Sequence, residues 1–180
     1  MNGASEAEVA SVTGDRSWTG GKARMLAIIV GIVVVLDQAT KIFIQQSFRL
    51  YQQVDVIGDY LRLTYIHNPG AAFGIHLGAY SRAIFLVLSV VALGALAAMY
   101  WVTPLRDRVR LAAISLICGG AIGNLIDRVR SEHGVVDFLD VGIGDLRWPV
   151  FNVADIAVTT GAIFLALSLW QEEQNSDRGG

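Results

Sequence analysis

The sequence predicts an all-α membrane protein: a bundle of four transmembrane helices with a small extracytoplasmic β-element. Three observations predict it. Hydrophobic residues make up 53% of the 180-residue chain and charged residues only 17%, with a mean hydropathy of +0.49, too apolar for a soluble domain of this size. Four apolar runs, at about 25–46, 80–102, 110–129 and 152–170, are long enough to cross a bilayer. Polar residues that hydrocarbon tolerates poorly gather at the ends of those runs.

Before the first run, residues 1–24 are polar and rich in Gly, Ser and Thr, the composition of a disordered tail. Lys22 and Arg24 precede Met25–Leu36. Basic residues before a dozen apolar ones also describe a secretory signal. Asp37-Gln38-Ala39-Thr40-Lys41 follows, without a small-x-small cleavage pattern, which favours an uncleaved first span. Asp37 and Lys41 are four apart on one helical face and able to pair. Equally, Lys41 is placed to snorkel outward as half of an interfacial pair.

Between spans, 47–79 is partly alternating, with Val54, Val56, Tyr60, Leu61, Leu63 and Tyr65 among polar residues and Gly58-Asp59 as a turn signal. It reads as a β-element outside the bilayer core. The run His67-Asn68-Pro69-Gly70-Ala71-Ala72-Phe73-Gly74 is a turn of small residues that lets backbone approach a ligand closely, or simply a tight turn before the next helix. His67 and His76 lack a partner at ligand spacing and read as interfacial polar residues. In the second span Gly94, Ala95, Ala97 and Ala98 form a small-residue contact face. Cys118, the single cysteine, lies in an apolar run and reads as a packing residue.

The third span ends in Gly120, Asn124 and Arg128, a stripe of glycine, amide and guanidinium on one helical face. Packing beneath interfacial charges accounts for Gly119, Gly123 and Asp127, but poorly for Asn124. Loop 130–151 follows and holds Asp137. Asn152 and Asp155 open the fourth span with the spacing of a capping box, and an Asp in a first helical turn is favoured by the helix dipole without any catalysis. Residues 172–180 form a second polar tail.

Parity gathers these residues. Each span reverses direction, so Asp37, Lys41, Asn124, Arg128, Asn152 and Asp155, with the segments 47–79 and 130–151, fall on one side of the membrane. Lys and Arg divide equally, seven on each side of the 14. Lys22, Arg24 and Arg106 to Arg110, however, flank the spans in short segments, where the positive-inside bias is counted. Both termini are therefore expected in the cytoplasm and the polar cluster outside.

A carboxylate at the middle of a membrane helix costs about 2.5–3.5 kcal/mol on insertion scales, so Asp137 and Asp155 are candidate functional acids. Two neighbouring carboxylates share one proton. Such a pair activates water and polarises a carbonyl, which is hydrolysis without metal or covalent intermediate. There is no H-E-x-x-H or G-x-S-x-G motif. An aspartic hydrolase is the best enzymatic reading; a small proton-coupled transporter would use the same residues. The net charge of −2 argues against a nucleic-acid partner.

In order along the chain stand DQATK, NPGAAFG, GGAIGNLIDRVR, GVVDFLDV and FNVADIAV. Together they closely resemble the bacterial lipoprotein signal peptidases (signal peptidase II), over about residues 25–170. The resemblance implies an aspartic protease that cuts diacylglyceryl-modified prolipoproteins just before the lipidated cysteine. It places the catalytic pair on Asp137 and Asp155. Substrate positioning and support fall on Asp37, Lys41, Asn68, Gly70, Asn124, Arg128 and Asn152, while Asp127 and Asp140 remain candidates for orienting their neighbours. It implies no cofactor or metal, a lipidated prolipoprotein and membrane lipid as partners, and no obligate protein partner. The expected location is the bacterial cytoplasmic (inner) membrane, multi-pass, with the active site at the extracytoplasmic face.

Overall fold

The computed structural model describes residues 3–70 and 80–179. Its elements in chain order are α1 (Gly3–Ser47), β1 (Gln53–Ile57), β2 (Leu61–Asn68), α2 (Ser81–Val102), α3 (Arg108–Arg130), β3 (Val135–Ile143), β4 (Leu146–Arg147) and α4 (Val153–Gly179). Four helical stretches are long and apolar enough to cross a membrane: Gly20–Ser47, Ser81–Val102, Arg108–Arg130 and Val153–Asn175. They coincide with the expected spans to within a few residues. Ala71, Ala72, Phe73, Gly74 and His76, expected in and after the small-residue turn, lie outside the described residues.

Two differences concern the tails. α1 runs back to Gly3, through a segment whose composition suggested disorder, and α4 runs on to Gly179, through the second polar tail. Ala4, Glu6, Ala7, Glu8 and Ala10 are strong helix formers, and an existing membrane helix removes the nucleation cost of extending it.

α3 is the central helix and packs against all three others. Its glycines make this possible. A Cβ on Gly119 would meet Val33 of α1 at 2.8 Å, and one on Gly120 would collide with the backbone oxygen of Ala154 in α4. Gly161 of α4 returns the relationship, its Cβ position 2.6 Å from the Ala113 oxygen. An apolar core of Tyr100, Leu111, Ile114 and Cys118 closes the end of the bundle nearest the tails. Cys118 is the buried packing residue its neighbours implied.

α2 departs from expectation. Gly94, Ala95, Ala97 and Ala98 are exposed, and a Cβ on Gly94 would meet nothing within 4 Å. Leu93, Leu96, Met99 and Tyr100 make the contact instead. Large side chains on that stripe bury more surface against α3 than the small residues can.

Outside the helices the strands form one antiparallel sheet in the order β1-β2-β3-β4. β1 and β2 are a hairpin turning at Gly58, whose φ is +49°. The expected loop 130–151 is largely sheet: β3 pairs with β2 in the register Leu61↔Val141, Leu63↔Leu139, Ile66↔Asp137 and Asn68↔Val135. Residues 135–138 are buried on both faces, so no polar/apolar alternation marks the strand. Gly134 makes the turn from α3 into β3 at φ +95°, and a Cβ there would collide with the Asn68 carbonyl. Only glycine combines that backbone with that approach. It holds the start of β3 against the end of β2.

Candidate active site

Asp137 lies on β3 and Asp155 in the first turn of α4, and two asparagines join them. Asn152 donates from its side-chain amide to Asp137 Oδ1 at 2.6 Å and to Asn124 Oδ1 at 3.1 Å. Asn124 donates in turn to Asp155 Oδ1 at 2.8 Å. Asn68, at the end of β2, donates to the other Asp137 oxygen at 2.9 Å. Its own carbonyl oxygen Oδ1 accepts from the backbone of buried Gly70 at 3.0 Å.

The capping box expected at the head of α4 is present. Asn152 Oδ1 accepts from the Asp155 N–H at 3.0 Å, and Asp155 Oδ2 accepts from the Asn152 N–H at 3.2 Å. Asp155 is thus both a helix cap and a member of the carboxylate pair; the two readings do not compete.

Beneath the pair lies a buried cation. Lys41 is 2% exposed, and its ammonium reaches Asp37 at 2.8 Å, Asp127 at 2.8 Å and Asn124 Oδ1 at 3.0 Å. Those partners use all three of its donors. It does not snorkel, because anionic partners from two helices enclose it. Asp37 also accepts from the backbone N–H of Ala154 at 3.0 Å, satisfying one of the orphan donors at the start of α4 from another helix.

Asp127, read from sequence as an interfacial charge, is buried and accepts from the Val136 N–H at 3.2 Å, which ties α3 to the strand carrying Asp137. Gln38, not singled out from sequence, donates to both Asp37 and Asp127 at 3.1 and 3.2 Å. Gly123 leaves room for this cluster, since a Cβ there would stand 2.5 Å from Asp37 Oδ2. The signal for Asp127 was present: with Asn124 it stands three residues apart, on one helical face.

Burial pushes the Asp137 carboxyl up to about 7, and the negative charge of Asp155 adds to the shift, while the Asn68 and Asn152 donors and the Lys41 charge oppose it. A carboxyl raised that far holds a proton near neutral pH, which a hydrolytic pair requires of one member.

A cavity of about 550 Å³ opens over the pair. Asn68, Gly70, Asn124, Arg128, Asp137 and Asp155 supply its polar floor. Trp148 to Phe151 form one wall, and Ile156, Thr159 and Thr160 of α4 carry it down toward the bilayer. Arg128 reaches the Gly70 carbonyl at 3.5 Å and lies over the Phe85 ring at 5.9 Å. Its Nε is buried without a hydrogen-bond partner among the described residues. All nine residues named from sequence therefore meet in one cluster. His67 stands beside it, bonded to the Tyr65 hydroxyl at 2.9 Å, and makes no bond to either acid.

Comparison with known proteins identifies the family. The family model described as signal peptidase (SPase) II matches residues 29–171. The lipoprotein signal peptidase of Halothermothrix orenii is 44% identical over 153 residues, covering 85% of this chain and 100% of the relative. That of Geobacter metallireducens is 42% identical, covering 86% and 96%. A solved bacterial membrane enzyme superposes with a TM-score of 0.76 at 34% identity, covering 83% of this chain and 90% of its own. Nothing in these likenesses supports the transporter alternative, and Asp137 stands on a strand outside the spans. The chain belongs to the signal peptidase II family of multi-pass membrane proteases.

Proposed function

We propose that this protein is an aspartic endopeptidase that removes the signal peptide from diacylglyceryl-modified prolipoproteins, cutting just before the lipidated cysteine. The observation that carries the mechanism is the pairing of Asp137 and Asp155 through Asn124 and Asn152 at the floor of one cavity. Asp137, with its raised affinity for a proton, acts as the acid and ionised Asp155 as the base. Asp155 takes a proton from a water molecule whose oxygen adds to the scissile carbonyl carbon, while Asp137 gives its proton to the carbonyl oxygen. The tetrahedral diol then collapses: the C–N bond breaks, Asp155 passes its proton to the leaving amine, and Asp137 recovers one from the diol. The pair returns to its starting state.

The two asparagines hold the carboxylates at fixed separation, and fixed donors in a site of low dielectric cost no reorganisation during the reaction. Arg128, whose Nε has no hydrogen-bond partner among the described residues, suits a substrate backbone carbonyl. The wall of Ile156, Thr159 and Thr160 lets the acyl chains stay in lipid while the peptide enters. The basic flanks Lys22, Arg24 and Arg106 to Arg110 support cytoplasmic tails and, with them, a site at the extracytoplasmic face of the bacterial inner membrane. The reading requires no metal.

Incubation of the purified protein with a lipidated prolipoprotein, with and without Asp137→Asn, tests the proposal. Release of the signal peptide by wild type alone is expected, with little or no release from the same precursor lacking its diacylglyceryl group. Cleavage by Asp137→Asn at the wild-type rate would overturn the aspartic mechanism, and equal turnover of the unlipidated precursor would overturn the substrate assignment.

A further inference from the structure

One face of the sheet carries a run of ion pairs that the reaction does not use. Arg62 lies 2.9 Å from Asp55 and also pairs with Asp59 at the β1–β2 turn. Arg147, on β4, gathers that turn to β3. Its Nε donates to Asp140 Oδ1 at 2.6 Å, its Nη2 to the Asp140 backbone oxygen at 3.0 Å, and its Nη1 to the Asp59 backbone oxygen at 3.0 Å. Asp140 is buried and accepts a further bond from Thr64 of β2 at 3.0 Å. Asp59 accepts from the Gly144 N–H in the β3–β4 turn. One guanidinium thus ties the tips of two hairpins together.

The position of this clamp in the chain gives it consequence. Residue 148 follows immediately, and 148–151 is the arm forming the cavity wall. The far end of the arm is fixed separately: the Phe138 and Leu139 N–H groups both donate to the Phe151 oxygen, at 3.0 and 2.8 Å. The near end is fixed by Arg147 and by the Trp148 N–H on the Val141 oxygen at 2.8 Å. The acids themselves are held by Asn68, Asn124, Asn152 and Asp127, none of which touches the clamp.

We propose that Arg147 is a positioning residue for this protease: held between Asp140 and the Asp59 turn, it sets the arm that closes the cavity and so governs how tightly substrate is retained, not how fast the bond is cut. The inference rests on the reading that this cavity takes the substrate. A planar fork suits the role, because Arg presents several donors in fixed directions where Lys offers a single point charge.

Steady-state cleavage of a lipidated prolipopeptide by the full-length protein separates the effects. Arg147→Gln is expected to raise KM about ten-fold with kcat within about two-fold of wild type, the signature of lost uniform binding. Arg147→Lys and Asp140→Asn, which keep part of the clamp, should each raise KM by less, and they carry the test if Arg147→Gln does not fold. In a Trp148→Ala background the Arg147 substitution should add nothing further, since residues acting through one another are not additive. Unchanged KM in all three variants, a fall in kcat at constant KM, or full additivity with Trp148→Ala would each overturn the assignment. Asp137→Asn, run beside them, reads the chemistry separately: its loss of kcat stands or falls independently of the KM changes.

Discussion

Asn152 and Asp155 hold each other by two reciprocal hydrogen bonds, of 3.0 and 3.2 Å, across the first turn of α4. The side chain of the same asparagine donates to Asp137 at 2.6 Å. A helix cap has therefore become the spacer between two acids.

If the acids act as a unit, Asp137→Asn and Asp155→Asn should each lower kcat by about 10³-fold or more, and the double variant should be little worse than either. Asn152→Ala should be milder: it removes a cap worth about 1 kcal/mol and the bond that spaces Asp137, but it leaves both carboxylates. A cap-only role for Asp155 predicts the reverse order, with Asp155→Asn nearly silent. Cleavage rates with unfolding curves for the four proteins decide between them.

The proton on Asp137 sets a pH limit. Its carboxyl titrates at about 7 against an ordinary 3.8, so the rate should fall on the alkaline side as that proton leaves the pair. Asn68→Ala removes a donor that favours the ionised form, so the alkaline limb of kcat/KM should move to higher pH. A limb that stays in place or moves down contradicts the assignment. For stability the sign is that of a raised acid: the folded state binds the proton more tightly, so this contribution is fully present below about 4 and is lost as pH rises through about 7.

Lys41 and Asp37, 2% and 0% exposed, form the most buried ion pair among the described residues. Lys41→Met leaves two carboxylates without their cation and should cost about 3–5 kcal/mol. Adding Asp37→Asn and Asp127→Asn to Lys41→Met should recover much of that loss. Thermal unfolding in detergent measures both; equal instability of the single and triple variants would show that the cost lies elsewhere.

Gly120 and Gly94 make a matched test of packing. A Cβ on Gly120 meets α4 backbone, which cannot move aside, and one on Gly94 meets open space. Gly120→Ala should cost about 1–3 kcal/mol by overpacking and lower activity through displacement of α4. Gly94→Ala should be neutral or slightly stabilising, since Ala is the better helix former.

Ile57 and Ile143 are 60% and 63% exposed on the sheet. Cysteines placed there should react with an impermeant maleimide in intact cells, given that native Cys118 is buried. Reaction only after permeabilisation would reverse the proposed orientation.

Much of this architecture was legible because membrane spans announce themselves through length and hydropathy. The cluster was legible because span parity brings distant motifs to one side. What escaped needed three-dimensional direction. The spacing of Asp37 and Lys41 shows that they share a face but not that the face turns inward to Asp127 and Asn124. The small residues of α2 resemble an interface, yet Leu93 and Leu96 occupy it. β3 was hidden because burial of 135–138 on both faces erased the alternation that marks a strand. Asp140 was a candidate for orienting its neighbours, but its partner Arg147 carried no signal in the sequence, because the two meet only where the hairpin tips come together.

Asp155 and Asn152 stand at the head of the fourth span, and they complete a site whose other acid lies on an earlier strand. During synthesis the chain emerges from its N-terminal end, so Asp137 is made before its partner and before the asparagine that spaces them. If the two acids work as proposed, the growing polypeptide lacks one of the pair until α4 enters the membrane and its backbone settles against Gly120. Under the proposed mechanism, proteolytic competence therefore arrives only with the last helix.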